Sequence, residues 1–149
     1  MPGGDEVAGG ADEFDRMQEE ILREAARVYS PKVIELWRNP RHAGWLENPD
    51  GYASITGPCG DTMQIWLRVE GGAVAEATFW TDGCGPSIVC GSMVTILARG
   101  RTIEEAAALD QQAVLDALGG LPEESRHCAL LAARTLVEAV NQARDKEAG

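Results

Sequence analysis

Basic residues are scarce in this 149-residue chain, in which 13 Lys and Arg stand against 24 Asp and Glu and the formal net charge is −11. Nucleic acids and anionic membranes are bound through a surplus of Lys and Arg, so we expect neither as a partner. The acidity is concentrated at the start of the chain, where residues 1–24 contain eight acidic residues and two arginines.

Long hydrophobic runs are also absent. The longest apolar stretch, residues 88–98, is interrupted by Gly91, Ser92 and Thr95 and is far shorter than the roughly 20 residues that cross a bilayer. The first ten residues have neither the basic start nor the apolar centre of a secretory signal. We therefore expect a cytosolic protein without a membrane span.

Several common site motifs are missing as well. The chain has no dinucleotide-binding glycine fingerprint, no phosphate-binding loop, no serine–histidine pattern and no CxxC pair. A chain of this length buries roughly 70% of its unfolded surface on folding, so it does not need disulfides as staples. In a reducing cytosol, cysteine clusters more often serve metal or sulfur chemistry. The four cysteines of this chain therefore call for a functional explanation.

Hydrophobic periodicity predicts one α+β domain with helices before and after a strand region. A Gly-rich acidic segment over 1–10 predicts a disordered tail, and apolar residues at helical spacing over 14–28 predict an amphipathic helix. Ser30-Pro31 is typical of a helix N-cap followed by a first-turn proline. Thr102 and Glu105 have the spacing of a capping box for a short helix, and Asp110 is a candidate N-cap for a helix that runs through Leu118. Alternating side chains begin at Tyr52 and predict strands, and the chain after residue 85 is predicted to be helical.

The Gly71-Gly72 pair predicts a hairpin between two of the strands. A two-residue turn at this pair would place Leu67 opposite Glu76 and put a charge on the core face. A three-residue loop, Gly71–Ala73, would instead place Leu67 opposite Ala77, with Ala75 on the same apolar face. We therefore predict the three-residue loop.

Three of the cysteines lie where predicted elements begin or end. Cys59 is in a Pro-Cys-Gly-Asp loop, Cys84 is between two glycines before a helix, and Cys128 is in the opening turns of the last helix. Unpaired amides and helix dipoles favour an anion at such positions, so we predict thiolates rather than buried thiols. Core packing is the alternative, because free cysteine is among the most buried residue types. Three cysteines at turns favour a shared site.

Two further side chains accompany these cysteines. Asp61 and His127 offer an oxygen and a nitrogen, both of which ligate metals, although a turn-capping aspartate and a solvent-facing histidine are the alternatives. Cys90 falls within an apolar helix, where packing as a small hydrophobic residue is favoured over ligation. The candidate metal and cofactor ligands are the following residues: Cys59, Asp61, Cys84, His127 and Cys128, with Cys90 as an additional possibility.

The order of these motifs resembles the IscU/NifU-type iron-sulfur cluster assembly scaffolds, the NifU N-terminal domain-like family. The resemblance extends from about residue 29 to residue 144. It rests on these segments: Tyr29-Ser30-Pro31-Lys32-Val33, Asn39-Pro40-Arg41, Pro58-Cys59-Gly60-Asp61, Gly83-Cys84-Gly85 and His127-Cys128. It implies a three-stranded antiparallel sheet with helices packed on it. The scaffold domain would then be 29–149, preceded by an acidic N-terminal extension over 1–28.

The resemblance also implies a function, that of a platform rather than an enzyme. A cysteine desulfurase would deliver sulfur as a persulfide to Cys128. Iron and sulfide, typically as a [2Fe-2S] cluster, would then assemble on the three element-end cysteines with Asp61 or His127 as the fourth ligand. An oxygen or nitrogen ligand holds iron less firmly than a fourth thiolate does, which suits a protein that gives its cluster away.

The resemblance implies several partners: the desulfurase, recipient apo iron-sulfur proteins, frataxin-like and ferredoxin proteins, and a second copy of the chain. The chain departs from the family at three places. Residues 121–125 read Leu-Pro-Glu-Glu-Ser where many members have the chaperone-binding Leu-Pro-Pro-Val-Lys, so a dedicated Hsp70 chaperone is not expected. Cys90 replaces Ser or Ala and would permit a four-cysteine site if Asp61 did not ligate. The acidic helix before residue 29 suits self-association or a basic partner.

Two other functions compete with the scaffold. A zinc-dependent sulfur carrier of the SufU kind shares the Cys and Asp residues but typically has an insertion before the last cysteine and no histidine beside it. Residues 100–127 contain no such insertion and His127 is present, which favours the scaffold, and zinc can still occupy the site in purified protein. The third candidate is an interaction module whose cysteines only pack the core and whose N-terminal helix is the functional surface.

Overall fold

The computed structural model describes residues 13–21, 23–24 and 26–148. An N-terminal helical segment covers 13–21 and 23–24. The elements that follow are α1 (Pro31–Arg38), β1 (Gly51–Thr56), β2 (Thr62–Glu70), β3 (Ala73–Thr81), α2 (Gly85–Ala98), α3 (Ile103–Ala107), α4 (Gln111–Leu118), a short 3-10 helix (Glu123–Ser125) and α5 (Arg126–Ala148). The predicted α+β class and its three-stranded antiparallel sheet are confirmed.

The strands form one sheet in the order β1-β2-β3, and the hairpin between β2 and β3 corrects our loop prediction. Leu67 is opposite Ala77, as predicted, but the turn is the two-residue Gly71-Gly72 pair, since Glu70 is opposite Ala73. Both glycines have positive φ, which this kind of tight turn requires. A register shift between Arg68 and Val69 absorbs the extra residue of β3, so Ala75 is exposed rather than on the core face.

The core lies between one face of the sheet and two helices. α5 packs along β1 and β2, and α2 packs along β3 and against α5. Alternating strand residues such as Met63, Ile65 and Phe79 are almost fully buried on that face. α2 has buried residues along its whole length, which follows from its position between the sheet and the neighbouring helices α1 and α5. This arrangement brings the start of α2 and the start of α5 to the same end of the sheet.

Side-chain caps set the helix starts as the sequence predicts. The Ser30 hydroxyl accepts from the Val33 amide at 3.1 Å and donates to the Leu118 carbonyl, so it also ties α1 to the end of α4. Thr102 and Glu105 form a complete capping box at α3. The Asp110 carboxylate accepts from the Ala113 amide at 2.9 Å and begins α4.

Helix α2 approaches the sheet closely at Gly91. A Cβ atom at this position would lie 2.3 Å from Cδ2 of Phe79, a ring that is 2% exposed and has no room to move. We expect Gly91→Ala to lower the free energy of unfolding by about 1–3 kcal/mol through overpacking. Gly57→Ala is the control, because its Cβ would meet Leu131 at 3.6 Å and the Asp61 carbonyl oxygen at 3.9 Å, both ordinary contact distances. Equal urea midpoints for the two variants would contradict this packing argument.

The edge of β3 that does not pair with β2 is hydrogen-bonded to the loop that follows α1. The Phe79 amide donates to the His42 carbonyl at 3.0 Å, and the Gly44 amide donates to the Phe79 carbonyl at 2.8 Å. The half-buried His42 ring lies against α2, with Nδ1 3.2 Å from Thr95 Oγ1 and Nε2 2.9 Å from Arg99 Nη1. Because the guanidinium can only donate, Nε2 must accept, and the ring is neutral with its proton on Nδ1. Burial, Arg99 and Arg41 all lower the pKa of His42.

A lowered histidine pKa makes folding stability depend on pH. The unfolded chain takes up a proton near the ordinary value of about 6.5, whereas the folded chain resists it. Stability from this group is therefore complete above about pH 6.5 and is lost as the pH falls from there toward the lowered pKa. We expect His42→Asn, which tolerates the φ of 65° at this position, to flatten the dependence. Urea midpoints of wild type and His42→Asn at about pH 7.5 and about pH 5.5 measure this pH dependence. Equal losses of stability in the two proteins at the lower pH would contradict the role of His42.

The N-terminal helical segment presents an apolar stripe to solvent. Phe14, Met17 and Ile21 are each about 60% exposed, and Val28 beyond the helix is equally exposed. The helical part of the predicted extension is therefore present, whereas the predicted disordered tail over 1–10 lies outside the described residues. No helix in the described ranges has the length and apolarity that a bilayer span requires.

Candidate metal and sulfur site

The loop between β1 and β2 carries Cys59 and Asp61. The Asp61 carbonyl accepts from the Gly57 amide at 2.8 Å, and the Gly57 carbonyl accepts from the Gly60 amide at 3.0 Å, which closes a tight turn around Cys59. Gly60 has a φ of 92°, a conformation that favours glycine. The turn leaves Cys59 exposed and Asp61 half-buried, facing the next loop.

The loop between β3 and α2 carries Cys84, which is exposed and occupies the N-cap position of α2. Asp82 ties this loop to the Cys59 loop, because its carboxylate accepts from the Thr62 amide at 2.8 Å. Gly85 is required by a close contact, since a Cβ there would lie 2.7 Å from the Trp37 ring of α1. Helix α1 therefore supports the backbone next to Cys84.

Cys128 is the third residue of α5, but its side chain faces inward and is only 3% exposed. Our prediction of a thiolate rather than a buried thiol at this position is wrong. Burial is the main cause that raises the pKa of Cys128, and the hydrogen bond from Ser87 opposes it. Negative charge on Cys84, Cys59 and Asp61 raises this pKa further. The loops that carry Cys59 and Cys84 lie at the same end of the sheet as the start of α5.

Ser87 joins two of the predicted site residues. It is fully buried in the first turn of α2, and its Oγ lies 3.3 Å from Asp61 Oδ2 and 3.5 Å from Cys128 Sγ. Gly83 leaves the space for this junction, since a Cβ there would lie 2.5 Å from Ser87 Oγ and 2.9 Å from Asp61 Oδ2. The hydroxyl therefore connects the Cys59 loop, helix α2 and helix α5.

Sequence reasoning missed Ser87. Its signal is present in the chain, because it lies three residues after Cys84 in a predicted helix and therefore faces the same side. The signal is weak without the structure, since a serine in the first turn of a helix ordinarily serves the helix terminus.

His127 and Cys90 lie on opposite sides of this junction. His127 is exposed, with Nε2 3.7 Å from Cys128 Sγ, so its ring borders the sulfur from the solvent side. Cys90 is fully buried in the core, and burial strongly raises its pKa, with smaller contributions from Cys128 and Cys84. Its burial agrees with the packing role that we favoured.

The arrangement brings the Asp61 carboxylate and the Cys128 sulfur to the Ser87 hydroxyl. It places the exposed thiols of Cys59 and Cys84 on the adjoining loops. Over the described residues, no three His, Cys, Asp or Glu side chains are grouped closely enough to hold a metal ion. All four cysteines are free.

Taken together, the fold and the site define a class of protein: a small α+β domain that collects free cysteines, a carboxylate and an imidazole at one end of a three-stranded sheet. The chain belongs to the NifU-like N-terminal domain family, whose model matches residues 28–148.

Two named relatives illustrate the similarity. The iron-sulfur cluster assembly scaffold protein IscU 1 of Archaeoglobus fulgidus is 42% identical over 114 residues, which cover 76% of this chain and 74% of the relative. The iron-sulfur cluster assembly scaffold protein IscU of Haemophilus influenzae is 35% identical over 125 residues, which cover 80% of this chain and 98% of the relative.

Solved structures show the same fold at lower identity. The N-terminal domain of a NifU-like protein from Brucella abortus has a TM-score of 0.63 and 22% identity, covering 80% of this chain and 96% of that one. The SUF-system protein FiSufU from Fervidobacterium islandicum has a TM-score of 0.60 and 19% identity, covering 75% of this chain and 96% of that one. At these identities the two structures show the fold of this chain and not its function.

Proposed function

We propose that this protein is a scaffold for iron-sulfur cluster assembly that receives sulfur and iron and passes the finished cluster to other proteins. The observation that carries the proposal is the meeting of Asp61 and Cys128 at Ser87, beside the loops of two exposed cysteines. The scaffold names of relatives up to 42% identical support it. The cluster is cargo, and the chain is a carrier rather than an enzyme.

Sulfur would enter at Cys128. Its thiolate attacks the outer sulfur of a cysteine persulfide on a desulfurase, and the thiolate of the desulfurase leaves, so that Cys128 carries the persulfide. The raised pKa of Cys128 means that the free thiol is the resting form, which protects it from oxidation until the donor binds. Cys128 is only 3% exposed, so its sulfur has to become more accessible when the donor docks.

The ligands proposed for the cluster are Cys59, Cys84 and Cys128, with Asp61 as the fourth and His127 as its alternative. Thiolates suit iron and cluster sulfides, and two of the three cysteines lie on glycine-containing loops that permit close approach. The Asp61 oxygen bonds soft cluster iron less firmly than sulfur does, which favours later release. We propose [2Fe-2S] as the assembled form.

The partners proposed for this function are a cysteine desulfurase as sulfur donor and apo iron-sulfur proteins as recipients. Frataxin-like and ferredoxin proteins and a second copy of the chain are further candidates. We propose residues 29–149 as the scaffold domain and 1–28 as an accessory extension, and a cytoplasmic location.

Anaerobic reconstitution tests the proposal. The full chain is incubated with ferrous iron, a cysteine desulfurase and cysteine, and absorption spectra follow the protein after removal of free iron and sulfide. We expect a visible chromophore that disappears when an apo acceptor protein is added, with equivalent recovery of cluster on the acceptor. A colourless protein in this assay would refute the scaffold.

The zinc-dependent sulfur carrier is the second candidate, favoured by the same Cys and Asp set. Metal analysis of the protein separates it from the scaffold, because a carrier holds one zinc tightly and forms no chromophore. If the protein binds no iron, no cluster and no zinc, the interaction module is the remaining candidate function. Its exposed surface is the stripe at Phe14, Met17 and Ile21.

A further inference from the structure

We propose that Ser87 is a positioning residue of this site, whose hydroxyl holds the Asp61 carboxylate near the Cys128 sulfur, so that both side chains are available as ligands when metal binds. The inference rests on the proposed function and assigns it a residue that does not itself ligate. It is carried by contacts to two separate elements, the loop before β2 and the start of α5.

The environment of Ser87 makes this role specific. The side chain is fully buried, and its Oγ has two partners, Asp61 Oδ2 at 3.3 Å and Cys128 Sγ at 3.5 Å. A side chain at residue 83 would collide with both Ser87 and Asp61, so Gly83 keeps the space open. The hydroxyl therefore occupies a fitted position rather than a solvated one.

The hydrogen-bonding capacity of a hydroxyl explains how it can serve two partners. Ser87 has one proton to donate and can also accept, whereas an ionised carboxylate only accepts. When Cys128 is a thiol, its S–H can donate to Ser87 while Ser87 donates to Asp61. When Cys128 is a thiolate it can only accept, and the single hydroxyl proton can still be donated to Asp61 Oδ2. In both states Ser87 can hold the Asp61 carboxylate, while the first turn of α2 keeps Ser87 next to Cys128.

Hydrogen bonds of this kind orient the ligands of metal sites, and their removal typically lowers metal affinity roughly 10- to 100-fold. We therefore expect Ser87→Ala to weaken Zn²⁺ binding by about that factor. Competition of the full chain with a chromophoric chelator measures the dissociation constant. Co²⁺ used in place of Zn²⁺ reports the ligand set, and we expect its absorption bands to shift in Ser87→Ala.

Ser92→Ala is the matched control. Ser92 is fully buried on the same helix, but its Oγ accepts from the Arg41 amide at 3.1 Å and has no contact with the site. Loss of this hydroxyl should lower the melting temperature without changing the affinity for Zn²⁺. Equal Zn²⁺ affinities for wild type, Ser92→Ala and Ser87→Ala would overturn the inference.

A double-mutant cycle separates positioning from a general structural effect. If Ser87 acts through Asp61, Ser87→Ala should cost much less affinity in the Asp61→Ala background than in the wild type. Additive losses would overturn the proposed route. Ser87→Thr keeps the hydroxyl and should retain wild-type affinity, and it decides the question alone if Ser87→Ala does not fold. An alanine-like affinity in Ser87→Thr would count against the hydroxyl.

The inference and the proposed function fail in different ways. Wild-type protein that binds Zn²⁺ but builds no cluster would refute the scaffold and leave the Ser87 assignment to be decided by its own variants. A cluster-building wild type whose Zn²⁺ affinity is unchanged by Ser87→Ala would refute only the positioning role. A wild type that binds neither would overturn both.

Discussion

Cys128→Ala is expected to abolish both persulfide formation and cluster assembly. The variant lacks the sulfur that accepts the persulfide and the ligand that meets Asp61 through Ser87. Mass spectrometry after incubation with the desulfurase and cysteine should show no added sulfur atom, whereas wild type gains 32 Da, about the mass of one sulfur. The visible chromophore should be absent from the same sample.

Cys90→Ala is the matched control, since Cys90 is fully buried on α2 and packs in the core. We expect this variant to accept sulfur and to build the cluster as wild type does, with a modest loss of stability from the smaller side chain. Sulfur uptake that persists in Cys128→Ala and vanishes in Cys90→Ala would assign the acceptor to Cys90. Cys59→Ala and Cys84→Ala should take up sulfur but hold no chromophore, because they remove ligands only.

Asp61→Ala is expected to retain an assembled cluster several-fold longer than wild type. The carboxylate oxygen is the most exchangeable of the proposed ligands, and its loss leaves a position that His127, 3.7 Å from Cys128 Sγ, can fill with a firmer nitrogen ligand. The change also removes a negative charge that raises the pKa of Cys128. Decay of the chromophore in the presence of a chelator measures the lifetime.

Asp82→Asn controls for charge alone in the lifetime experiment. Asp82 lies on the same pair of loops, and asparagine keeps the acceptor for the Thr62 amide while removing the charge. We expect a lifetime close to that of wild type. Faster decay in Asp61→Ala than in wild type would rule out the carboxylate as the labile ligand. Equal lengthening in Asp82→Asn would assign the effect to charge rather than to ligation.

The helix starts could be predicted from the sequence because the hydrogen bonds that cap a helix are local. Ser30, Thr102 and Asp110 each cap the helix that immediately follows, and a hydrogen bond over three residues does not depend on the rest of the fold. The hairpin was predicted less completely. The pairing of Leu67 with Ala77 follows from the alternation of side chains. The bulge near Val69 depends instead on the hydrogen bonds between β2 and β3, which the alternation does not specify.

The candidate site was likewise predicted only in part from the sequence. The residue types and motif order placed Cys59 and Cys84 on loops and connected the chain to its family. The position of Cys128 at a helix start led us to expect a thiolate rather than a buried thiol, because the dipole is a local property. The structure buries that sulfur, and burial raises its pKa against the local effect.

Local features of the sequence thus determined the helix caps, most of the strand faces, the family and the candidate ligands. Only the tertiary structure decided how those ligands relate to one another. Asp61, Ser87 and Cys128 are separated by 26 and 41 residues, and packing of α2 and α5 on one sheet face brings them together. Such contacts depend on how distant elements pack, which no local pattern of residues encodes.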